Sequence, residues 1–365
     1  MNMKKVGKIY LIVITVLLSM WLLPRLYYII TVKSVSTPFT LYSCTVEDFV
    51  SLQDRSGKDF VFSDTQGTMY GDSVLPFFYY RVLSSRNHVP EKIAGHVFTG
   101  EQIERNNIIF SSSPKEVNND VPNVYMLLES EPERVELEDP QYAFVTRKDG
   151  IRIVEIATNE RAAAMEADFA HALDSVGFRY PARIVSGNPS THKEYDEGYM
   201  VTDADGKLFH IKLCRGKACV EFIDAGGVDI EHIFITENEN RASLAYLFDT
   251  EGRFYVLDSL RRVVPTDVVA DVKKNDFLIV GDILNYTVRV SDSNGENYWA
   301  LRSDDFSTVD TFRRDYPEDR VFDLPKYILP ARLSLSSSLS SRICPVFSDF
   351  SWIGLCVTLA LVACL

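Results

Sequence analysis

Five segments of this chain repeat one plan, and that repetition limits the fold more than any other feature. FVFSDTQGTMY (60–70), FVTRKDGIRIVEI (144–156), MVTDADGKLFHIKL (200–213), YLFDTEGRFYVL (246–257) and VRVSDSNGENYWAL (288–301) each alternate apolar and polar residues, turn over four residues ending in glycine, and alternate again. Alternation on both sides of a short turn is the pattern of an antiparallel hairpin. Gly67, Gly150, Gly206, Gly252 and Gly295 are expected to take the positive φ that closes a type I turn with a bulge. Asp64, Asp203, Asp249 and Asp292 are expected to hydrogen-bond the local backbone; Arg147 breaks the pattern once. The last four glycines are about 43 to 56 residues apart, near the roughly 40 to 50 of propeller blades. Asp54-Arg55-Ser56-Gly57 adds a turn close before Gly67, as a simple meander would. The expected fold is mainly β, antiparallel hairpin repeats in a β-meander or propeller-like array. Unrelated hairpins sharing one turn chemistry are the alternative.

One amphipathic helix is expected from about Asn159 to Val176, with Met165, Phe169, Leu173 and Val176 at helical spacing and Gly177 as its stop. Glu160, Arg161, Glu166, Asp168 and Asp174 fall on its solvated face, and His171 reads as a surface or packing residue. Thr99 and Gln102 have capping-box form. Asp203-Ala204-Asp205-Gly206 resembles part of a calcium loop, but Val201 stands where a ligand is needed and no distal glutamate follows, so turn chemistry is expected.

Two apolar segments bracket this body. Ile9–Ile30 is interrupted only by Arg25 and follows Lys4, Lys5 and Lys8. It is long enough for a bilayer core of roughly 30 Å, and the lysines keep the N-terminus cytoplasmic. A secretory signal peptide is the alternative, but no small-residue cleavage site follows. The tail Trp352–Leu365 carries no charge and offers only about 21 Å of helix, an incomplete span or a buried helix. The expected organisation is a cytoplasmic N-terminus and anchor (1–33), an exported acidic β-rich domain (34–345) with the serine-rich connector LSLSSSLSS (333–341), and a C-terminal hydrophobic segment (346–365).

The net charge is −13, and the cations of the anchor make the rest more acidic still. Nucleic acid and anionic headgroups would repel such a body. Cys214 and Cys219 flank a predicted hairpin turn, where a disulfide is sterically allowed and two free thiols are the alternative. No Gly-x-Ser-x-Gly elbow, phosphate loop or His-Glu-x-x-His is present, and no cofactor or metal site is implied. The densest polar run is GNPSTHKEYDEGY (187–199), which leads into the strand carrying His210. His192, Glu194, Asp196, Glu197 and His210 form a candidate cluster for metal or acid–base chemistry. Neighbouring side chains on a loop or strand point apart, so the cluster needs distant partners to converge.

The block GNPSTHKEYDEGYMVTDADGKLFHIKL (187–213), with LPFFYY (75–80) and GFRYPA (177–182), resembles a bacterial domain-of-unknown-function family, number 4857. The resemblance covers most of the chain. It implies membrane anchoring and an accessory role beside ABC-transporter components, and supplies no catalytic residues. The expected function is therefore a membrane-anchored extracytoplasmic accessory or sensor protein of the bacterial inner membrane, non-enzymatic, with a transporter permease as partner. The alternative is an exported hydrolase or metal-dependent enzyme built on the 187–210 block.

Overall fold

The computed structural model describes residues 3–31, 36–54, 60–119, 121–133, 136–317, 322–337 and 339–363. Most of the turn expected at Asp54-Arg55-Ser56-Gly57 and the anchor–body junction at 33 and 34 lie outside the described residues.

Helix α1 (Met3–Thr31) comes first, followed by the meander β1 (Thr40–Ser43), β2 (Asp48–Asp54), β3 (Val61–Ser63) and β4 (Met69–Tyr70). A 3-10 turn (Asp72–Val74) and helices α2 (Tyr80–Ser85) and α3 (Gly100–Asn106) lead to β5 (Ile108–Ser112) and α4 (Pro114–Val117). A three-stranded meander, β6 (Tyr125–Leu127), β7 (Tyr142–Arg147) and β8 (Gly150–Glu155), precedes α5 (Ala163–Ser175). Three four-stranded meanders then follow one another. The first is β9 (Ile184–Gly187), β10 (Tyr199–Thr202), β11 (Leu208–Cys214) and β12 (Lys217–Ile223). The second is β13 (Ile230–Ile235), β14 (Ser243–Asp249), β15 (Arg253–Asp258) and β16 (Val263–Val269). The third is β17 (Asp276–Gly281), β18 (Asn285–Ser291), β19 (Gly295–Arg302) and β20 (Thr308–Asp315), with β5 added beside β17. The chain continues through α6 (Leu324–Ile328), the hairpin β21 (Arg332–Ser334) and β22 (Val346–Ser348), and α7 (Trp352–Ala363).

The body is mainly β and built of antiparallel meanders in sequence order, the local connectivity of propeller blades. Consecutive sheets share cores. Phe144 of β7 packs with Tyr199 and Phe209, Met200 and Leu208 with Leu247 and Leu257, and Phe248 and Phe254 with Phe277. The first sheet returns to the last through Tyr42 and Phe49 against Tyr298. Edge-to-face rings reinforce these seams, Phe248 and Phe277 lying 5.1 Å apart, and each such pair adds about 0.5–1.5 kcal/mol beyond area burial.

The turns divide the five glycines. Gly67, Gly206 and Gly252 take φ of 88°, 82° and 78°. Gly150 and Gly295 do not adopt positive φ, which corrects the common role expected of all five. The aspartates cap their turns: Asp203 Oδ1 accepts from the N–H groups of Asp205 and Lys207 at 2.9 Å each, and Asp249 Oδ1 does the same for Glu251 and Arg253.

Helix α5 begins at Ala163, later than Asn159, which takes φ of 57°. Thr99 and Gln102 form the capping box of α3. On α5, Phe169 and Leu173 are buried as the spacing requires, but so is Glu166, assigned by the sequence to the solvated face. Arg161 and Arg152 pair with it, and the Arg161 hydrogen bond holds its carboxyl below the usual range. The connector at 333–341 is not wholly irregular, because its first residues form β21.

Helix α7 is no core helix: of its residues only Gly354 is buried. A Cβ there would lie 1.8 Å from the Leu329 carbonyl oxygen, so glycine lets α7 close onto the end of α6.

Candidate functional site

The structure separates the polar block into an outer and an inner set. His192 and Glu194 are exposed, whereas Asp196 is buried and Glu197 and Lys193 partly so. The residues gathered inside do not form an open site. Lys193 Nζ donates to Asp196 Oδ1 at 2.7 Å and to Glu237 Oε1 at 2.5 Å, and these side chains are only 9%, 3% and 4% exposed. Glu237 lies in the loop after β13, so the bonds tie two neighbouring sheets. Ser130 Oγ and Gly198 N donate to Asp196 Oδ2 at 2.7 and 2.9 Å. Asn188 Nδ2 donates to Glu237 Oε2 at 2.8 Å, and Glu197 N to Glu237 Oε1 at 2.8 Å.

Glu197 pairs with Lys212. His210 Nε2 lies 2.6 Å from the Glu197 carbonyl oxygen, which can only accept, so that nitrogen carries the proton. Burial, and then the Lys212 charge, lower the His210 pKa. The candidate cluster is thus divided between solvent and a closed ionic knot. Among the described residues no group of three or more His, Cys, Asp or Glu side chains is arranged to hold a metal ion.

The neutral His210 has a pH consequence. With its folded pKa below 6.5, the stability it contributes is present above that pH and is lost as pH falls through the folded pKa. Asp282, raised to about 6, runs the other way between its unfolded and folded values. The difference between wild type and His210→Gln therefore isolates the histidine. Thermal midpoints followed downward from pH 7 should fall more steeply in wild type; parallel curves would refute a neutral buried His210.

The two candidate disulfide cysteines lie on neighbouring strands. Cys214 pairs across the strands with Lys217, and Cys219 with Lys212, around a turn at Arg215 and Gly216. The two cysteines are diagonal rather than directly opposite, and both are free. Burial, then a hydrogen bond with Cys219, pushes the Cys214 thiol up to about 12.

A cavity of about 360 Å³ lies elsewhere, between β1, Val74–Phe78, α2, α3 and the end of β17. Leu41, Leu75, Phe77, Ile108 and Val280 form apolar wall, and Arg81 pairs with Glu104 at 3.1 Å on its exposed rim. The LPFFYY segment supplies four of the lining residues, Leu75 to Phe78. Asp282 lines the cavity at the end of β17. Its Oδ1 accepts from Leu284 N and Asn285 N at 2.8 Å each. Burial raises its carboxyl to about 6 despite both donors. Cys44 faces the same space, but burial and the nearby Asp282 raise its thiol to about 12, so it remains protonated and a poor nucleophile. The sequence concealed this site because its polar residues are scattered over the chain, and only the LPFFYY block marked any part of it.

The fold and these sites define a mainly β body of blade-like meanders with an apolar N-terminal helix that could span a membrane. The chain belongs to the family of the domain of unknown function DUF4857, which matches residues 39–301. No curated protein matches it in sequence. Among solved structures it is similar to the Dos1 propeller, at 8% identity and a TM-score of 0.28 over 48% of this chain and 45% of that one. Hydrazine synthase of Kuenenia stuttgartiensis is similar at 14% identity and 0.28, over 54% and 50% of the two chains. PorZ, a surface component of the type-IX secretion system of Porphyromonas gingivalis, is similar at 9% identity and 0.23, over 78% and 33%. The chain thus spans half or less of the length of each.

Proposed function

We propose that this is a membrane-anchored extracytoplasmic accessory or sensor protein, non-enzymatic, whose β body binds a small ligand and works with an integral-membrane partner. The family resemblance points to a transporter permease as that partner. The observation that carries this proposal is the way α1 meets the body. Tyr28 OH donates to Asp323 Oδ1 at 2.6 Å, and Tyr27 OH donates to the Phe322 carbonyl. Arg332 of β21 stacks over the Tyr28 ring at 4.9 Å. Met20, Phe347, Trp352 and Leu355 line one apolar groove of about 460 Å³, so both apolar termini meet the same small subassembly. A leader destined for removal has no need of side-chain bonds to residues some three hundred positions away.

Lys5 and Lys8 at the start of α1 favour a cytoplasmic N-terminus, with the body on the outer face of a bacterial cytoplasmic membrane. The enzyme alternative gains no geometric support, because His192 and Glu194 face solvent while Asp196, Glu197 and His210 are engaged with one another's neighbours. The ligand cavity favours a binding role.

The test is direct. Mass spectrometry of the membrane-extracted protein should recover peptides from α1, and reporters fused after Val32 and after Ser341 should both register the outer side. Loss of the α1 peptides from the mature protein, or a cytoplasmic signal from either fusion, overturns the anchor. Purification in mild detergent should retain a transporter subunit, and its absence, with transport unchanged on deletion, removes the permease partner.

A further inference from the structure

We propose that the cavity beside β1 and β17 takes a small primary amine, its ammonium group on Asp282 Oδ2 and its apolar body against Leu41, Phe77, Ile108 and Val280. This rests on the ligand-binding role given above and names the class of ligand.

The inventory of donors and acceptors leads to it. Asp282 Oδ1 is used by Leu284 N and Asn285 N, while Oδ2 takes no hydrogen bond among the described residues. Several of the other polar atoms that line the space are already committed. Ser43 Oγ donates to the Val74 carbonyl at 2.6 Å, Asn107 Nδ2 to the Phe77 carbonyl at 2.9 Å, and Thr287 Oγ1 accepts from Tyr42 N at 3.0 Å. The lining cation, Arg81, is held by Glu104 at the exposed rim. The second oxygen of Asp282 is left with no cation against it among the described residues, a position where a ligand's charged donor fits.

The titratable groups that share the lining are mostly acidic. Cys44 at the end of β1 stays a neutral thiol, Glu104 of α3 and Glu239 of the β13–β14 loop add negative charge, and Arg81 of α2 offsets one of them. A divalent metal ion is a poorer fit, since it wants six or more oxygens and no such group is assembled here. At about 360 Å³ the space is small for a ligand site, suited to a compact amine with one ring or a short chain.

The probes are 2-phenylethylamine, 2-phenylethanol and phenylacetate, titrated by calorimetry into the full chain in detergent. The amine should bind at least about tenfold more tightly than the alcohol near pH 7.5, and its affinity should fall by up to about tenfold per pH unit below 6 as Asp282 protonates. Asp282→Asn keeps the Oδ1 acceptor for Leu284 and Asn285 and should erase both the preference and the pH dependence. If that variant proves unfolded, the wild-type pH profile decides. Equal binding of amine and alcohol leaves the ligand-binding role standing and overturns the amine. Tightest binding of phenylacetate near pH 5, against a protonated Asp282, overturns it likewise. If wild type binds none of the three, both fall.

Discussion

Lys193→Met should destabilise the body by about 3–5 kcal/mol, the cost of removing one partner from a buried ionic group. Lys193 is 9% exposed and contacts two carboxylates, Asp196 and Glu237, that are still more buried. Without it, both remain inside with only neutral donors: Ser130 and Gly198 for Asp196, Asn188 and Glu197 N for Glu237. Those bonds place the effect nearer 3 than 5 kcal/mol on that scale. The triple variant Lys193→Met, Asp196→Asn, Glu237→Gln should recover much of the loss, because the penalty belongs to the abandoned charges more than to the lysine. Thermal unfolding of the detergent-solubilised protein measures both. A single variant as stable as wild type would show that the knot is hydrated and contributes little.

The same knot shows how far the sequence could be read. Period-two alternation and aspartate-led turns made the meanders legible, because a hairpin is specified within about a dozen residues. The turns at Asp258 and Asp282 lack the closing glycine that marks the others. At the first, Arg261 takes φ of 62° where glycine marks other turns, so the glycine signal is missing although Asp258 Oδ1 still accepts from Leu260 and Arg262.

The candidate site was less legible. His192, Glu194, Asp196 and Glu197 are close in sequence, yet the loop sends the first two to solvent and the last two inward. The partners that decide their state, Glu237 and Ser130, come from other sheets. Arg314 makes the same point at another seam: it reaches Glu296, 2% exposed, from β20 and also donates to Ser51 Oγ of β2 at 2.7 Å. Burial of Glu166 was hidden because helical periodicity fixes a face but not whether two arginines will cover it. The cavity needs β1, α2, α3 and β17 together, and no local pattern carries that information.

Alanine at three of the turn glycines should produce three different results, since the structure gives Gly67 and Gly295 different reasons to lack a side chain and Gly150 none. Gly150→Ala should be neutral or stabilising by up to about 1 kcal/mol, because φ is ordinary, nothing lies within 4 Å of the new Cβ, and the unfolded chain loses freedom. Gly67→Ala should cost about 1–2 kcal/mol: the space is open, but φ is 88° and an L side chain is strained there. Gly295→Ala should cost the most, about 3 kcal/mol. Its φ is permissive, but the added Cβ would sit 2.3 Å from the Arg314 carbonyl oxygen and 3.1 Å from Asp315 Cα. Both are backbone atoms, so no rotamer relieves the clash and β19 must part from β20 at the Gly295–Asp315 pair. That parting also strains the neighbouring ion pair of Arg314 with Glu296, at 3.3 Å. Denaturant midpoints of the three variants test the order, and a Gly150→Ala variant less stable than Gly295→Ala would falsify it. Close backbone approach, rather than turn conformation, is then what demands glycine at the start of β19.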